Sequence, residues 1–432
     1  MIRRFSTLGL ATALLGTLSS LPSLDLPVAS SADWPMWRGP KGDGIVADPA
    51  VPTRWSITEN VQWKVPVPGI GHSSPVVANG RVFLTSFDPK TNDRWLLCFD
   101  RNDGQLLWQK TVLTAPPEKM HQNNSPASAT PATDGSAVWV TFLDGEKITA
   151  AAYDFAGKRL WLKTFPGFRS PHGFCGTPIL HGELVIINGD SDGDAFLAAL
   201  DKTTGATKWK VDRPHRTRSF SVPVMVDVKN TPQLVIAGSK SIAGYEPKTG
   251  QQLWVVESTT EKFVATVAHT QGLIFATGTS PNTNLMAIDP TGRGNVTQTH
   301  VKWCDTKLGA YVPSPLAFGN RLFVVSDSGI ATLLEASTGK KIWSERLGSR
   351  RHHASPLLIN DLIYCLADDG TMFILRANDE FEVVARCAIR AECHATPAVS
   401  DGQLFIRTTT HLLCIGAKKD MYWGEKDGAK KN

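Results

Sequence analysis

The feature that most constrains this chain is a short pattern that keeps returning. An acid is followed four residues later by glycine and eight residues later by tryptophan. Asp100, Gly104 and Trp108 set it in "DRNDGQLLW", and Asp201, Gly205 and Trp209 in "DKTTGATKW". Glu246, Gly250 and Trp254 repeat it, as do Glu335, Gly339 and Trp343. A shortened copy carries Asp154, Gly157 and Trp161, and a stretched one runs from Asp289 and Gly292 to Trp303. A decayed copy spans Arg376 to Val384, with Glu380 at the glycine's place. Self-similarity at a period of about 40–50 residues is the mark of a repeat architecture and overrides other fold readings.

Upstream of each pattern lies a β-rich hairpin, usually opened by proline. Pro75, Pro131, Pro178, Pro223, Pro315, Pro356 and Pro397 mark such starts, and "VATVAHTQGLIFATG" aligns by its strands alone. Short β-branched runs separated by Asn-Gly and Asp-Gly turns read as hairpins. Each unit therefore has four strands, and four antiparallel strands repeated radially make a β-propeller. There are eight starts, but the last unit stops at "HLLCIGAKK" without a tryptophan strand. "NVQWKVPV", with Trp63, matches the missing strand. The expected fold is all-β: an eight-bladed propeller of four-stranded antiparallel blades, closed by an N-terminal strand in the last blade.

The repeated glycine suits a turn that needs positive φ, and the acid and threonine can bond local amides. Trp63, Trp108, Trp161, Trp209, Trp254, Trp303 and Trp343 then lie on outer strands and pack between blades. The pattern is structural and carries no chemistry.

This acid-x-x-Thr-Gly-x-x-x-Trp element resembles the tryptophan-docking motif of the pyrroloquinoline quinone (PQQ) propeller family. "DWPMWRGPKGDGI", residues 33–45, looks like the lead segment of its repeat proteins. The resemblance covers nearly all of the mature chain. That family includes quinone-dependent dehydrogenases and non-catalytic propellers, such as the lipoprotein of the outer-membrane β-barrel assembly machinery. Its alcohol dehydrogenases imply a vicinal Cys-Cys disulfide over the quinone and long insertions bearing calcium ligands and a catalytic aspartate. Here no two cysteines are adjacent and the blades leave little room for insertions. The resemblance thus implies an exported, non-catalytic binding or scaffold protein. The alternative is a PQQ-dependent dehydrogenase, with calcium, that oxidises an alcohol or sugar. No cofactor is expected under the first reading.

Composition narrows the class. The chain has 432 residues, 42% of them hydrophobic, enough for a large core. A net charge of +5 without a lysine-rich arm or helix gives no case for nucleic acid. Arg3 and Arg4 before the apolar run Leu8 to Leu18, with Ser30 and Ala32 at a cleavage site, read as a secretory signal. The run is too short to span a bilayer. No cysteine precedes Cys98, so a lipid anchor on an N-terminal cysteine is not expected. The expected parts are a signal at 1–32, a wrapping segment at 33–59, the propeller at 60–417 and a charged tail at 418–432. A periplasmic or secreted monomer without a transmembrane anchor follows. Seven cysteines without C-x-x-C form neither a disulfide framework nor a zinc site. Cys98 and Cys414 read as buried strand residues, and Cys387 and Cys393 are the one pair placed to bridge.

Candidate site residues come from register. His72, His353 and His394 each stand three residues before a blade-opening proline, in the first, seventh and eighth blades. Those blades are neighbours in a closed ring. Cys175, Phe220 and Val312 share the register, so all six should line one mouth of the central channel. Imidazoles there could hold a metal, but inner strands diverge around a channel. Hydrogen-bonded channel residues are the expectation, with no metal ligand assigned. Connections on the same face carry Arg169, His172, Arg213, His215, Arg216, Arg218, Arg350, Arg351 and His352. A positive mouth favours a protein partner or an anionic ligand or polymer. The ligand-binding candidates are His72, His172, Arg218, His352, His353 and His394. "NGDSDGDAF" spaces Asp190, Asp192 and Asp194 like a calcium loop but aligns with strand turns at Asp327 and at Asp368 and Asp369. It reads as a hairpin turn. No nucleophile elbow, phosphate loop or H-E-x-x-H occurs, so no catalytic residue is assigned.

Overall fold

The computed structural model describes residues 33–48, 50–348 and 351–417. The signal and the tail lie outside the described residues, as does Arg350. Strands fall into eight sheets, and no helix occurs among the described residues. In the first sheet Val76–Ala78, Arg81–Phe87, Asp93–Asp100 and Leu106–Thr114 pair in chain order, all antiparallel. The other sheets repeat that meander. The eighth takes Val61–Pro66 onto His411–Gly416, with Trp63 opposite Cys414. The molecule is an eight-bladed β-propeller, and the N-terminal strand closes it as the repeat count predicts. Closure removes the open sheet edge that a broken ring would leave.

Two blades exceed the expected four strands. Ile45–Val46 adds in parallel to Leu357–Ile359, and Gly294–Asn295 adds in parallel to Gln252–Glu257. The second addition comes from the insertion that stretches the fifth copy of the pattern.

The repeated glycine has a use beyond its turn. Asp201 Oδ1 accepts from the Thr203 and Thr204 amides at 3.1 and 2.9 Å, which sets Gly205 at φ +71°. The Trp161 indole of the preceding blade then donates to the Lys202 carbonyl at 2.9 Å. A Cβ on Gly205 would lie 2.7 Å from the Trp161 ring. So the turn of one blade is the dock for the tryptophan of the blade before it. The same indole-to-carbonyl bond joins Trp63 to Arg101, Trp108 to Phe155, Trp209 to Pro247, Trp303 to Ala336 and Trp343 to Asn378. In each of these strands a bulge just before the tryptophan shifts the register. Such bulges re-aim a side chain.

Trp254 breaks the rule. Its indole donates to Gln233 Oε1 at 2.7 Å within its own blade. Val296 and His300, both from the insertion, occupy the space over Gly292 where it would dock. Substituting Gly205 by alanine puts a methyl into the Trp161 ring at an unfavourable φ. A loss of about 2–4 kcal/mol is expected from overpacking and left-handed strain together. Urea denaturation of Gly205→Ala checks this, with Gly182→Ala as the control: its φ is also positive, but nothing lies within 4 Å of its Cβ position.

A second ring of contacts joins the inner strands. The residue before the blade-opening proline is usually serine or threonine, and its hydroxyl accepts from the matching amide of the preceding blade. Thr130 Oγ1 accepts from Ser74, Thr177 from Thr130, and Thr266 from Val222, at 2.9, 3.1 and 2.9 Å. Ser314, Ser355 and Thr396 continue the series at 2.8, 3.0 and 3.0 Å. These amides precede the inner strands and lie outside the strand ladders. The hydroxyls satisfy them, as buried backbone donors require.

The segment from Asp33 onward touches one blade after another. Trp34 exchanges backbone bonds with Val77 of the first blade, and the Thr133 amide of the second donates to Pro35. Buried Arg38 reaches the Pro315 carbonyl of the sixth blade at 2.8 Å. Ile45–Val46 then joins the seventh, and Asp48 Oδ2 accepts from the Gly402 amide of the eighth at 2.7 Å. One end of the channel is thereby covered by the chain itself.

Cys98 and Cys414 are buried strand residues, as expected. Cys387 and Cys393 do not bridge. Each is a free, buried thiol, one against the Thr53 carbonyl and the other against that of Ala391.

Candidate functional site

The other end of the channel opens into a cavity of about 980 Å³. That is the size class of ligand pockets. His72, Cys175, Phe220, Val312, His353 and His394 all line it. The register that places residues three before each proline at the channel mouth therefore holds around the ring, with Ser128 and Val264 completing the circle.

Of the named candidates, His72, His172, His353 and His394 face the cavity. The structure also brings in His121, Lys262, Arg346 and Arg351. Lys262 and Arg346 sit at the ends of strands and connections where no repeat marks them, so the sequence carries no signal for their role. His121 belongs to the long connection between the first two blades, whose path no repeat predicts.

Two candidates do not line the cavity. His352 is fully buried, with its ring 6.1 Å from that of Phe373, so it turns from the cavity into the blade. Arg218 is tied to Asp192 at 2.5 Å and lies behind the lining. The expected basic rim is also weaker than a count of charges suggests. Arg213 is buried against Asp190, Arg169 pairs with Glu146, and His215 pairs with Glu257. Asp190, Asp192 and Asp194 thus face Arg213, Arg218 and Arg216 at 2.9, 2.5 and 3.9 Å. Each carboxylate of the row stands beside an arginine, in keeping with the turn that the sequence suggests.

What remains at the mouth is nevertheless positive. Lys262, Arg346 and Arg351 have no carboxylate at ion-pair distance among the described residues. Asp327 is the single acid in the lining, and its two oxygens accept from the Tyr311 and Val312 amides at 2.8 and 3.2 Å. Behind His72 the buried Arg407 donates to Ser73 Oγ at 2.6 Å and to the Thr85 carbonyl at 2.8 Å, with no acid beside it. Burial, then the charges of His394 and Arg407, hold the His72 imidazole down to about 3. His172 is also lowered, first by burial and then by Arg218 and Lys262. Both imidazoles are therefore neutral hydrogen-bonding groups near pH 7. Burial pushes the Cys175 thiol up to about 12, so it is no nucleophile there.

Three histidine rings meet on one wall. The ring centroids of His72 and His394 lie 4.6 Å apart, and those of His353 and His394 5.2 Å. Asp368 sits among them. Its Oδ1 accepts from the His353 amide at 3.0 Å, and its Oδ2 lies 2.6 Å from His353 Nδ1. Its place in the "ADDGTM" turn marks it in the sequence as a turn residue only. Asp327 shows that the same position in the sixth blade caps the same connection. The site role of Asp368 comes from its neighbours.

Similarity to known proteins follows this geometry. The family described as outer membrane protein assembly factor BamB matches residues 54–146, 92–295 and 281–380. No curated protein matches. Among solved structures, BamB from Moraxella catarrhalis is similar with a TM-score of 0.60 at 16% identity, over 82% of this chain and 96% of that one. The computationally designed Ika8 protein gives 0.58 at 13% identity, over 82% and 98%. The quinohemoprotein alcohol dehydrogenase ADHIIG from Pseudomonas putida HK5 gives 0.58 at 12% identity, over 90% and 81%. At these identities the structures share the fold. With most of its length matched by the family's repeat pattern, and with the eight blades and docked tryptophans described above, the chain belongs to the BamB-like family of PQQ-type repeat propellers.

Proposed function

We propose that this protein is a non-catalytic binding propeller that works after export, in the periplasm or beyond the cell. Its open mouth seats an acidic segment of a protein partner. The observation that carries the reading is the charge of the cavity: three unpaired cations and one hydrogen-bonded acid around about 980 Å³. A low-dielectric mouth of one sign concentrates ligands of the other. The description of the family as an assembly factor supports a protein, in preference to a small molecule, as the bearer of that acid.

The calcium–quinone pair of the dehydrogenases fits this lining poorly. Calcium takes six to eight oxygen ligands, and the lining offers one carboxylate already engaged with two amides. The other polar groups of the lining are imidazoles and neutral amides and hydroxyls, with three cations among them. No catalytic step is derived through a quinone.

The test is binding of a labelled oligoglutamate peptide to the mature protein, followed by fluorescence anisotropy at low and high salt. Saturable, salt-sensitive binding is expected. A Lys262→Glu, Arg346→Glu, Arg351→Glu variant should bind at least about tenfold more weakly, a loss of 1.4 kcal/mol. Salt-independent binding, or unchanged affinity in the variant, would remove the anionic reading. Dye reduction with PQQ, calcium and an alcohol would replace it with the oxidoreductase.

A further inference from the structure

His394 has an unusual arrangement of partners. Its Nε2 lies 3.1 Å from Glu392 Oε1. A carboxylate only accepts, so Nε2 is the donor there and Nδ1 is the ring atom left for another partner. That Nδ1 is buried and has no hydrogen-bond partner. What it faces is a second acceptor, Asp368 Oδ2, 4.0 Å away. A buried ring nitrogen without a partner, aimed at a carboxylate oxygen beyond hydrogen-bond reach, is a gap that calls for a bridging group. His353 Nδ1 stands on the same carboxylate oxygen at 2.6 Å. One ligand atom from each of His353, Asp368 and His394 therefore lies within 4.8 Å of the others.

We propose that His353, Asp368 and His394 bind a divalent transition-metal ion of the zinc class in the wall of the cavity. Two imidazoles and one carboxylate are a donor set for zinc, nickel or iron(II), and not for calcium or magnesium. Bonds of about 2.0–2.2 Å to each atom bring the three ligands to separations close to those seen, after small side-chain adjustments. The ion takes the place of a hydrogen on His353 Nδ1, the ring then ligating through that nitrogen. It also fills the space between His394 Nδ1 and the carboxylate.

The surroundings are built for it. Asp368 is held by the His353 amide, and Glu392 fixes the ring orientation and tautomer of His394. A carboxylate behind a ligating histidine is the usual outer shell of such a site. His72 packs beside His394 but stands outside the group of three whose ligand atoms lie within 4.8 Å of one another. Three protein ligands leave at least one coordination position, and both histidines face the cavity. An oxygen donor entering the mouth could complete the shell. The inference rests on the four side chains alone and holds whether or not the partner is acidic.

The experiment uses the whole mature protein, stripped of metal by dialysis and titrated with cobalt(II), which reports through its visible absorption. Expected is one cobalt per chain, with bands that zinc displaces. Asp368→Asn keeps the oxygen that accepts from the His353 amide but should abolish saturable binding, as should His394→Ala. Glu392→Ala removes an exposed carboxylate that holds no part of the core. It should weaken binding by about 10–100-fold while leaving the melting temperature of the metal-free protein unchanged. Absence of a saturable band in the wild type would overturn the proposal. So would wild-type affinity in either ligand variant. If a ligand variant fails to fold, Glu392→Ala decides: unchanged affinity there removes the built site. Oligoglutamate binding that survives loss of the metal would separate this inference from the partner reading.

Discussion

Trp209→Ala is expected to destabilise the propeller by about 3–5 kcal/mol, the range for truncating a buried tryptophan. The side chain sits between the third and fourth blades, against Ile186, Leu197, Ala199 and Ile236 among others. Its indole donates to the Pro247 carbonyl at 3.0 Å, and its ring covers Gly250, whose φ is +74°. Truncation opens a cavity in that cluster and leaves the carbonyl without its donor. The neighbouring turn loses the ring that its glycine accommodates. Trp343 gives the contrast. It makes the same bond to Asn378 at 3.2 Å, but it is only half-buried and the decayed copy that follows has no glycine to receive it. Trp343→Ala should cost clearly less. Urea midpoints for the two variants test the ordering, and equal losses would mean that the dock adds nothing beyond buried area.

The second large effect is expected at Asp190. Asp190 and Arg213 form an ion pair with side chains 0% and 1% exposed. The pair is well satisfied. Arg213 Nε donates to Asp190 Oδ1 at 2.9 Å, its Nη2 donates to the Gly238 carbonyl at 2.8 Å, and Tyr245 closes the far side. Ser219 donates to Asp190 Oδ2 at 2.8 Å. Asp190→Ala leaves a guanidinium buried without its counter-charge, and breaking such a pair costs about 3–5 kcal/mol. The double variant Asp190→Leu, Arg213→Met should recover most of that loss, because two apolar groups of similar volume need no desolvated charge. Thermal melts of the single and double variants make the comparison. A double variant as unstable as the single one would show that the pair's hydrogen bonds, and not its charges, hold the third and fourth blades together.

Both results bear on the site. The cavity wall is made of residues that precede the inner strands, so its geometry is as rigid as the blade packing behind it. The contacts that keep neighbouring blades in register, such as Ser314 to Ser355 and Ser355 to Thr396, also keep His353 and His394 at their spacing. A binding site on such a frame needs no large rearrangement to receive a ligand.

Much of this architecture is legible in the residues alone, and the reason is periodicity. Glycine, acid and tryptophan recur at a spacing set by local turn chemistry, so the number of blades and the closing role of the Trp63 strand follow from counting. The cavity register follows too, because an opening proline marks the same structural position in most blades. Contacts between units are a different matter. Nothing in "DKTTG" says that the ring filling the space above Gly205 belongs to Trp161 of the blade before. The serine or threonine before each proline looks like a turn residue until the neighbouring amide appears beside it. Arg213 and His352 read as rim residues in the sequence, and their blades bury both. Lys262 and Arg346 stand at unrepeated positions, and Asp368 reads only as a turn residue, so the closed ring alone brings them to one mouth. The repeat determined the fold because each unit encodes its own strands and turns. The site was decided by the tertiary structure, because its members come from different units and, beyond the shared register before each inner strand, follow no local pattern.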